Sequence, residues 1–191
     1  MNKVLVMLAN GFEEVEALTV VDYLRRTGIE VKMVSTEKDL EVEGAHGIKV
    51  IGDVMIDNIK DPLNYRGIFI PGGLPGATNL RDDSRVTDLV RTLADGGKMI
   101  ASICAGPIVL SDAGVIDGKK VTSYPGYARE LVGALYKEDL VVRDGNILTS
   151  RGPATAVYLA MEIIRYLQGE EKLRELRKAI LLDLVNEKKK G

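Results

Sequence analysis

The stretch ASICAGPIVLSDAG, residues 101–114, holds the only cysteine of the chain. Cys104 has a serine two residues before it and a glycine two residues after it. This small-x-nucleophile-x-Gly spacing is that of a nucleophile elbow, with cysteine in the place of serine. Small neighbours are needed because strand and helix approach closely at such a turn, and the nucleophile is held in a strained backbone conformation. A helix is expected from about Ala105, and its free N–H groups would lower the pKa of the thiol. A lone cysteine is more often a small buried hydrophobe. Small residues on both sides of a strand–helix junction favour the nucleophile.

Two other stretches carry residues suited to the same chemistry. In IPGGLPGA, Gly72 and Gly73 leave backbone N–H groups unobstructed by side chains, able to donate to an oxyanion. A plain turn would use the same glycines. In NGFEEVEA, Glu13, Glu14 and Glu16 fall at the start of a helix, where acids are stabilising in any case. At most one of them is expected to reach the sulfur. A carboxyl buried beside a thiolate has its pKa raised, so it can donate a hydrogen bond to sulfur and carry a proton. The only histidine, His46, sits in a glycine-flanked turn far from Cys104 in sequence. Ala105 follows the cysteine, so no Cys–His dyad forms within the elbow. Only scattered carboxylates are on offer to a catalytic metal, and none is expected.

These residues need a scaffold that brings three chain segments together. The run KVLVMLA (3–9) is continuously apolar, as for a central parallel strand covered on both faces. Residues 12–28 have helical spacing, start with acids and stop at Gly28. A second strand covers 30–36, and 37–60 holds one or two short edge strands turning at Gly44 to Gly47. A strand over 65–73 runs into the glycine pair. Residues 84–97 form a helix with Ser84 as its N-cap. The strand KMIASI leads to Cys104, and KKVTSYP is another strand. Residues 139–150 form a hairpin turning at Asp144–Gly145. A helix follows over 153–169, with Pro153 in its first turn, and an amphipathic helix over roughly 170–185. The tail NEKKKG reads as a frayed, solvated end.

Alternating strands and helices with a late hairpin imply one doubly wound α/β domain over residues 1–191, with helices on both faces. Such sheets bind ligands beyond the carboxyl ends of their strands, where Glu13 to Glu16, Gly72–Gly73 and Cys104 all fall. The 191 residues include 46% hydrophobic and 28% charged, with a net charge of −2. That charge argues against nucleic acid as a partner. One cysteine excludes an internal disulfide framework and suits a reducing cytoplasm. The N-terminal apolar run is too short for a signal peptide, and no run approaches membrane-spanning length.

Five blocks taken together resemble the ThiJ/PfpI superfamily, and most of all its parkinsonism-associated deglycase branch. They are LANGFEEVEA, IPGGLPGATNL, ASICAGPIVL, VTSYPG and ILTSRGPATA, in that order over residues 8–156. The resemblance implies a flavodoxin-like, mostly parallel sheet and a homodimer. It makes Cys104 the nucleophile, Glu16 the protonated acid beside it, and Gly72, Gly73 and the Ala105 backbone the anion-stabilising donors. It places Tyr124, Arg151 and Gly152 around them. No cofactor is implied. In that branch the cysteine oxidises readily to a sulfinate held by the counterpart of Glu16. Many members have a histidine where this chain has Tyr124, and a phenol of pKa about 10 is a poor base at neutral pH. The protease branch carries histidine directly after its cysteine, where this chain has Ala105.

The leading functional expectation is a glyoxalase or protein deglycase acting on a small carbonyl substrate or a glycated protein. The alternatives are a redox sensor or chaperone read out by oxidation of Cys104, and an oligomeric cysteine peptidase, which Ala105 argues against.

Overall fold

In the run KVLVML, both faces of the strand are covered, and Val4 to Leu8 are fully buried. The computed structural model describes residues 3–188. This first strand, β1 (Lys3–Leu8), pairs in parallel with β2 (Glu30–Ser35) on one side and β6 (Gly67–Ile70) on the other. The full sheet has seven strands in the order β10-β11-β7-β6-β1-β2-β5. The remaining members are β5 (Val54–Met55), β7 (Met99–Ile103), β10 (Val141–Asp144) and β11 (Ile147–Ser150). All pairings are parallel except β10 with β11, the late hairpin. From β1 the chain winds outward through β2 and β5, then returns to wind the other way through β6, β7 and β11. The switch point therefore lies between β1 and β6, and ligands bind beyond the carboxyl ends of strands at such a point.

Helices cover both faces, as in flavodoxin-like folds. Val4, Val6 and Leu8 of β1 pack with α1 (Glu14–Arg26), α5 (Ala156–Gln168) and α6 (Glu170–Ala179). Leu5 and Met7, pointing the other way, pack with α2 (Gly76–Asp82), α3 (Ser84–Asp95) and α4 (Pro107–Asp112). The even–odd split along one strand follows from the period-2 alternation of a pleated strand. Two small ribbons lie outside the main sheet. The hairpin β3 (Glu41–Glu43) with β4 (Lys49–Ile51) turns through Gly44 to Gly47, and β8 (Lys120–Val121) pairs in parallel with β9 (Leu135–Tyr136).

Several local expectations are corrected. Helix α2 is absent from the sequence reading; at seven residues it is too short to show an amphipathic period. The helix after Cys104 begins at Pro107 rather than Ala105. The stretch KKVTSYP contributes only two strand residues, and to a satellite ribbon. Asp83, not Ser84, caps α3, its carboxylate accepting from the Arg85 N–H at 3.0 Å. In the late hairpin Asp144 pairs with Ile147, so Gly145 and Asn146 form the turn. The last amphipathic segment is two helices, α6 and α7 (Leu182–Lys188), broken at Leu181, whose φ is +59°. Residues 186–188 of the expected frayed tail are helical, and 189–191 lie outside the described residues.

Candidate active site

Cys104 follows β7 directly and lies in the left-handed region, at φ +61°. A non-glycine residue there costs roughly 1–2 kcal/mol. Hydrogen bonds on either side hold it. The Cys104 N–H donates to Ser150 O at 3.0 Å, and Cys104 O accepts from the Tyr124 N–H at 2.9 Å. The small neighbours are required by close approach. A Cβ on Gly106 would lie 2.5 Å from Ser102 Oγ and 2.7 Å from Pro71 O. Ser102 Oγ itself donates to Ile70 O at 3.1 Å, tying β7 to β6 at the turn.

The glycine pair and the first helix close in on the sulfur. Gly72 can approach because it has no side chain: a Cβ there would lie 2.6 Å from Cys104 Cβ and 2.7 Å from Glu16 Oε2. Backbone N–H groups of Ala105 and Gly73 donate to the Cys104 sulfur. The Gly72 N–H is directed elsewhere, to Glu16 Oε2 at 2.8 Å. Of the three expected anion donors, two therefore face the sulfur and the third orients the acid. Glu16 is fully buried, shares a hydrogen bond with the Cys104 side chain, and leaves Oε1 without a further partner.

Burial raises Glu16 to about 7; the Glu13 charge adds to the rise, and the hydrogen bonds from Gly72 and Cys104 oppose it. Burial, then the charge and hydrogen bond of Glu16, push the Cys104 thiol up to about 12, against the pull of the Ala105 and Gly73 N–H groups. The expected lowering of the thiol pKa is thus corrected. No full helix terminus aims at the sulfur, and a neighbouring carboxylate repels its charge. The two groups titrate as a pair. Above about 7 they hold one proton and one negative charge between them. With the proton on sulfur, Glu16 is ionised; with the proton on Glu16, a thiolate faces two N–H donors.

The other two acids part company with Glu16. Glu14 is buried under the β3–β4 hairpin, where its Oε1 accepts from the His46 N–H at 2.7 Å and the Ile48 N–H at 3.4 Å. Its Oε2 lies 2.9 Å from His46 Nδ1. Burial would raise Glu14, but hydrogen bonds from the His46 side chain and from backbone N–H groups outweigh it and hold the carboxyl below its ordinary value. Glu13 Oε2 lies 3.5 Å from the same imidazole nitrogen. Glu13, Glu14 and His46 thus form the one grouping of potential metal-ligating atoms among the described residues, all within 4.8 Å. The sequence placed Glu13 and Glu14 on one turn but gave no sign of His46, which arrives from 32 residues away.

Tyr124 and Gly152 are also brought to the elbow. The Tyr124 ring, about half exposed, lies over Gly152, where a Cβ would meet Cδ2 at 3.3 Å. The Arg151 guanidinium is held by Glu138 O at 2.9 Å. Sequence reading passed over Tyr127, one residue beyond VTSYPG. Burial, then the charges of Glu130 and Cys104, raise its phenol pKa, which places it within electrostatic reach of the sulfur.

The profile of the DJ-1/PfpI family matches residues 2–166. The chain is 39% identical over 180 residues to the protein dj-1beta of Drosophila melanogaster, covering 93% of this chain and 96% of that one. It is 32% identical over 183 residues to the Parkinson disease protein 7 homolog of Danio rerio, covering 94% and 97%. Among solved structures, oxidized Toxoplasma gondii DJ-1 superposes with a TM-score of 0.89 at 35% identity, over 95% of this chain and 98% of that one.

Proposed function

The chain belongs to the DJ-1/PfpI family, and from that premise we propose a cofactor-independent, cysteine-dependent enzyme acting on α-oxoaldehydes or their adducts with amines and thiols. One observation carries the reading: a cysteine at positive φ is hydrogen-bonded to a buried carboxyl while two N–H groups face its sulfur.

The reaction on methylglyoxal runs as follows. Proton transfer from sulfur to Glu16 frees the thiolate, which attacks the aldehyde carbon. The N–H groups of Gly73 and Ala105 hold the developing oxyanion, which takes the proton from Glu16 to give a hemithioacetal. The Glu16 carboxylate then removes the hydrogen of the former aldehyde carbon to give an enediolate and returns that proton to the adjacent carbon, while the hemithioacetal hydroxyl proton passes to the neighbouring oxygen. The product is a lactoyl thioester on Cys104. Water cleaves it to lactate and regenerates the thiol. In a deglycase the same attack falls on a carbonyl carbon already bound to an amine or thiol, which leaves.

The protein is proposed to act as a homodimer in the cytoplasm. No helix among the described residues is long and apolar enough to cross a membrane. The test is lactate formation from methylglyoxal by protein freed of contaminating glyoxalases. Wild type should turn over and Cys104→Ser should not; equal rates in both would refute the reading.

A redox role uses the same site. Buried Glu16 Oε1 has no further partner and two N–H groups face the sulfur, so oxygen atoms added to Cys104 by peroxide would find hydrogen-bond partners. A peptidase is the least supported reading, because Ala105 supplies no base and Tyr124 does not replace one.

A further inference from the structure

Two carboxylates and one imidazole converge under the β3–β4 hairpin, and the reaction proposed above uses none of them. Glu13 and Glu14 come from the start of α1, and His46 from the turn between β3 and β4. His46 Nδ1 lies 2.9 Å from Glu14 Oε2 and 3.5 Å from Glu13 Oε2. One ligating atom from each of the three residues lies within 4.8 Å of the other two. The Glu14 and Glu13 side chains are only 4% and 13% exposed, whereas that of His46 is 68% exposed.

The charges in this group do not balance. One imidazole, even when protonated, offsets a single carboxylate, and two poorly hydrated carboxylates face the same ring nitrogen. Charge withdrawn from water in proteins is either paired or bound to a metal. A divalent cation would offset both carboxylates and take the neutral imidazole as its third ligand. The proton that Nδ1 otherwise donates to Glu14 would leave to solvent, and Nε2 would keep its own.

The geometry suits a tetrahedral ion. With metal–nitrogen and metal–oxygen distances of about 2.0–2.2 Å, tetrahedral ligand atoms stand roughly 3.3–3.6 Å apart. The two separations at Nδ1 match or fall just short of that spacing. Glu14 is already oriented as a ligand. Its Oε1 accepts from the His46 N–H at 2.7 Å and the Ile48 N–H at 3.4 Å, which leaves Oε2 directed at the imidazole. A Cβ on Gly44 would collide with that same Oε1, so the close fit of hairpin to carboxylate needs glycine there. Hydrogen bonds to a ligating carboxylate are what fix ligands in metal sites. The exposed side of His46 gives an entry path and room for a water as fourth ligand. One nitrogen and two oxygen atoms favour a first-row ion over Ca²⁺ or Mg²⁺, which take oxygen shells of about six or more.

We propose that Glu13, Glu14 and His46 form a divalent-cation site, best matched to Zn²⁺, that staples the β3–β4 hairpin to the start of α1. The site stands apart from Cys104 and does not depend on the carbonyl chemistry proposed for it.

Calorimetric titration of chelator-stripped protein with Zn²⁺ tests the site. Wild type and Cys104→Ser should each bind one Zn²⁺ per chain with equal affinity. His46→Leu and Glu13→Gln should weaken binding by roughly tenfold or more, since even a group that only orients a ligand is worth about that much. Glu13→Gln keeps the size of its side chain, so the pair of variants separates lost ligation from altered packing. Co²⁺ should give visible bands of a tetrahedral nitrogen and oxygen set, without the charge-transfer band of a thiolate. His46 is the only histidine, so its ring resonances are identified without assignment, and Zn²⁺ should shift them. Bound Zn²⁺ should also raise the urea midpoint of wild type and Cys104→Ser but not of His46→Leu. A wild type that binds neither ion, binding that survives in His46→Leu at full affinity, or binding that disappears in Cys104→Ser would overturn the proposal.

Discussion

Glu16 and Cys104 meet in a place where neither charge is well hydrated, and they hold one proton between them through the neutral range. Gly72 fixes one carboxyl oxygen at 2.8 Å. The chemistry proposed for the protein is a matter of which of the two atoms carries that proton.

Glu16 should make stability fall as pH rises. Its pKa goes from an ordinary 4.5 to about 7 on folding, so the protonated form is favoured in the native state. That contribution is complete below 4.5 and is lost as pH rises through about 7. At about 1.4 kcal/mol per unit, the loss is roughly 3 kcal/mol. Glu16→Gln keeps an acceptor for Gly72 and has no proton to lose. Urea unfolding across this window should show the variant gaining on wild type as pH increases. Parallel profiles would show that Glu16 does not titrate in this range.

Turnover should respond in the opposite sense. Glu16→Gln and Glu16→Leu both lose the proton carrier and should lose a factor of roughly 100 or more in kcat on methylglyoxal. With mild peroxide, intact mass should show a stable sulfinate in Glu16→Gln, whereas Glu16→Leu stops earlier or goes on to sulfonate. Wild-type turnover in Glu16→Leu would remove Glu16 from the mechanism.

The hairpin clamp should matter to stability. Glu14→Ala strips the acceptor from the part-buried hydrogen bonds of the His46 and Ile48 N–H groups and should cost roughly 1–3 kcal/mol. Glu14→Gln keeps one acceptor and should recover part of it. Because the Glu14 pKa is lowered, its contribution is present above the ordinary carboxylate value and fades as pH drops through the lowered one. Denaturation midpoints of the two variants that coincide at neutral pH would contradict the clamp.

Gly106→Ala tests the elbow. Its methyl would lie 2.5 Å from Ser102 Oγ and 2.7 Å from a backbone carbonyl. Overpacking of this kind should cost about 1–3 kcal/mol and lower the thermal midpoint by several degrees. Pairing it with Ser102→Ala relieves only the first contact, with the Pro71 and Ile70 carbonyl oxygens still at 2.7 and 2.8 Å, so recovery should be partial. A Gly106→Ala midpoint equal to wild type would show that the turn yields freely.

The parts of this site set by short-range sterics were legible in the sequence. Ser102 and Gly106 announce a tight turn around Cys104, and the unbroken apolar run of β1 announces a strand covered on both faces. The short helix α2 was not legible, since it follows the glycine pair like a continued loop, whereas α4 was expected after the elbow and only its start, at a proline two residues on, was missed. Neither was the thiol. A helix start suggests a lowered pKa, but burial beside a second acid governs it, and burial is a property of the assembled layers. His46 was the least legible, because its place depends on a satellite hairpin folding onto α1 through one buried carboxylate.

The proton shared by Glu16 and Cys104 is tested most directly by the rate of Cys104 alkylation with iodoacetamide as a function of pH. The rate should rise in two steps: a small one at about 7, where the pair loses its first proton and the remaining one can sit on Glu16, and the main one well above the free-thiol value of roughly 8.5, because burial and the Glu16 charge hold the thiol up. Glu16→Gln should abolish the first step and move the main rise downward. A wild-type rate with no step at about 7, or a main rise that stays in place in Glu16→Gln, would contradict the account.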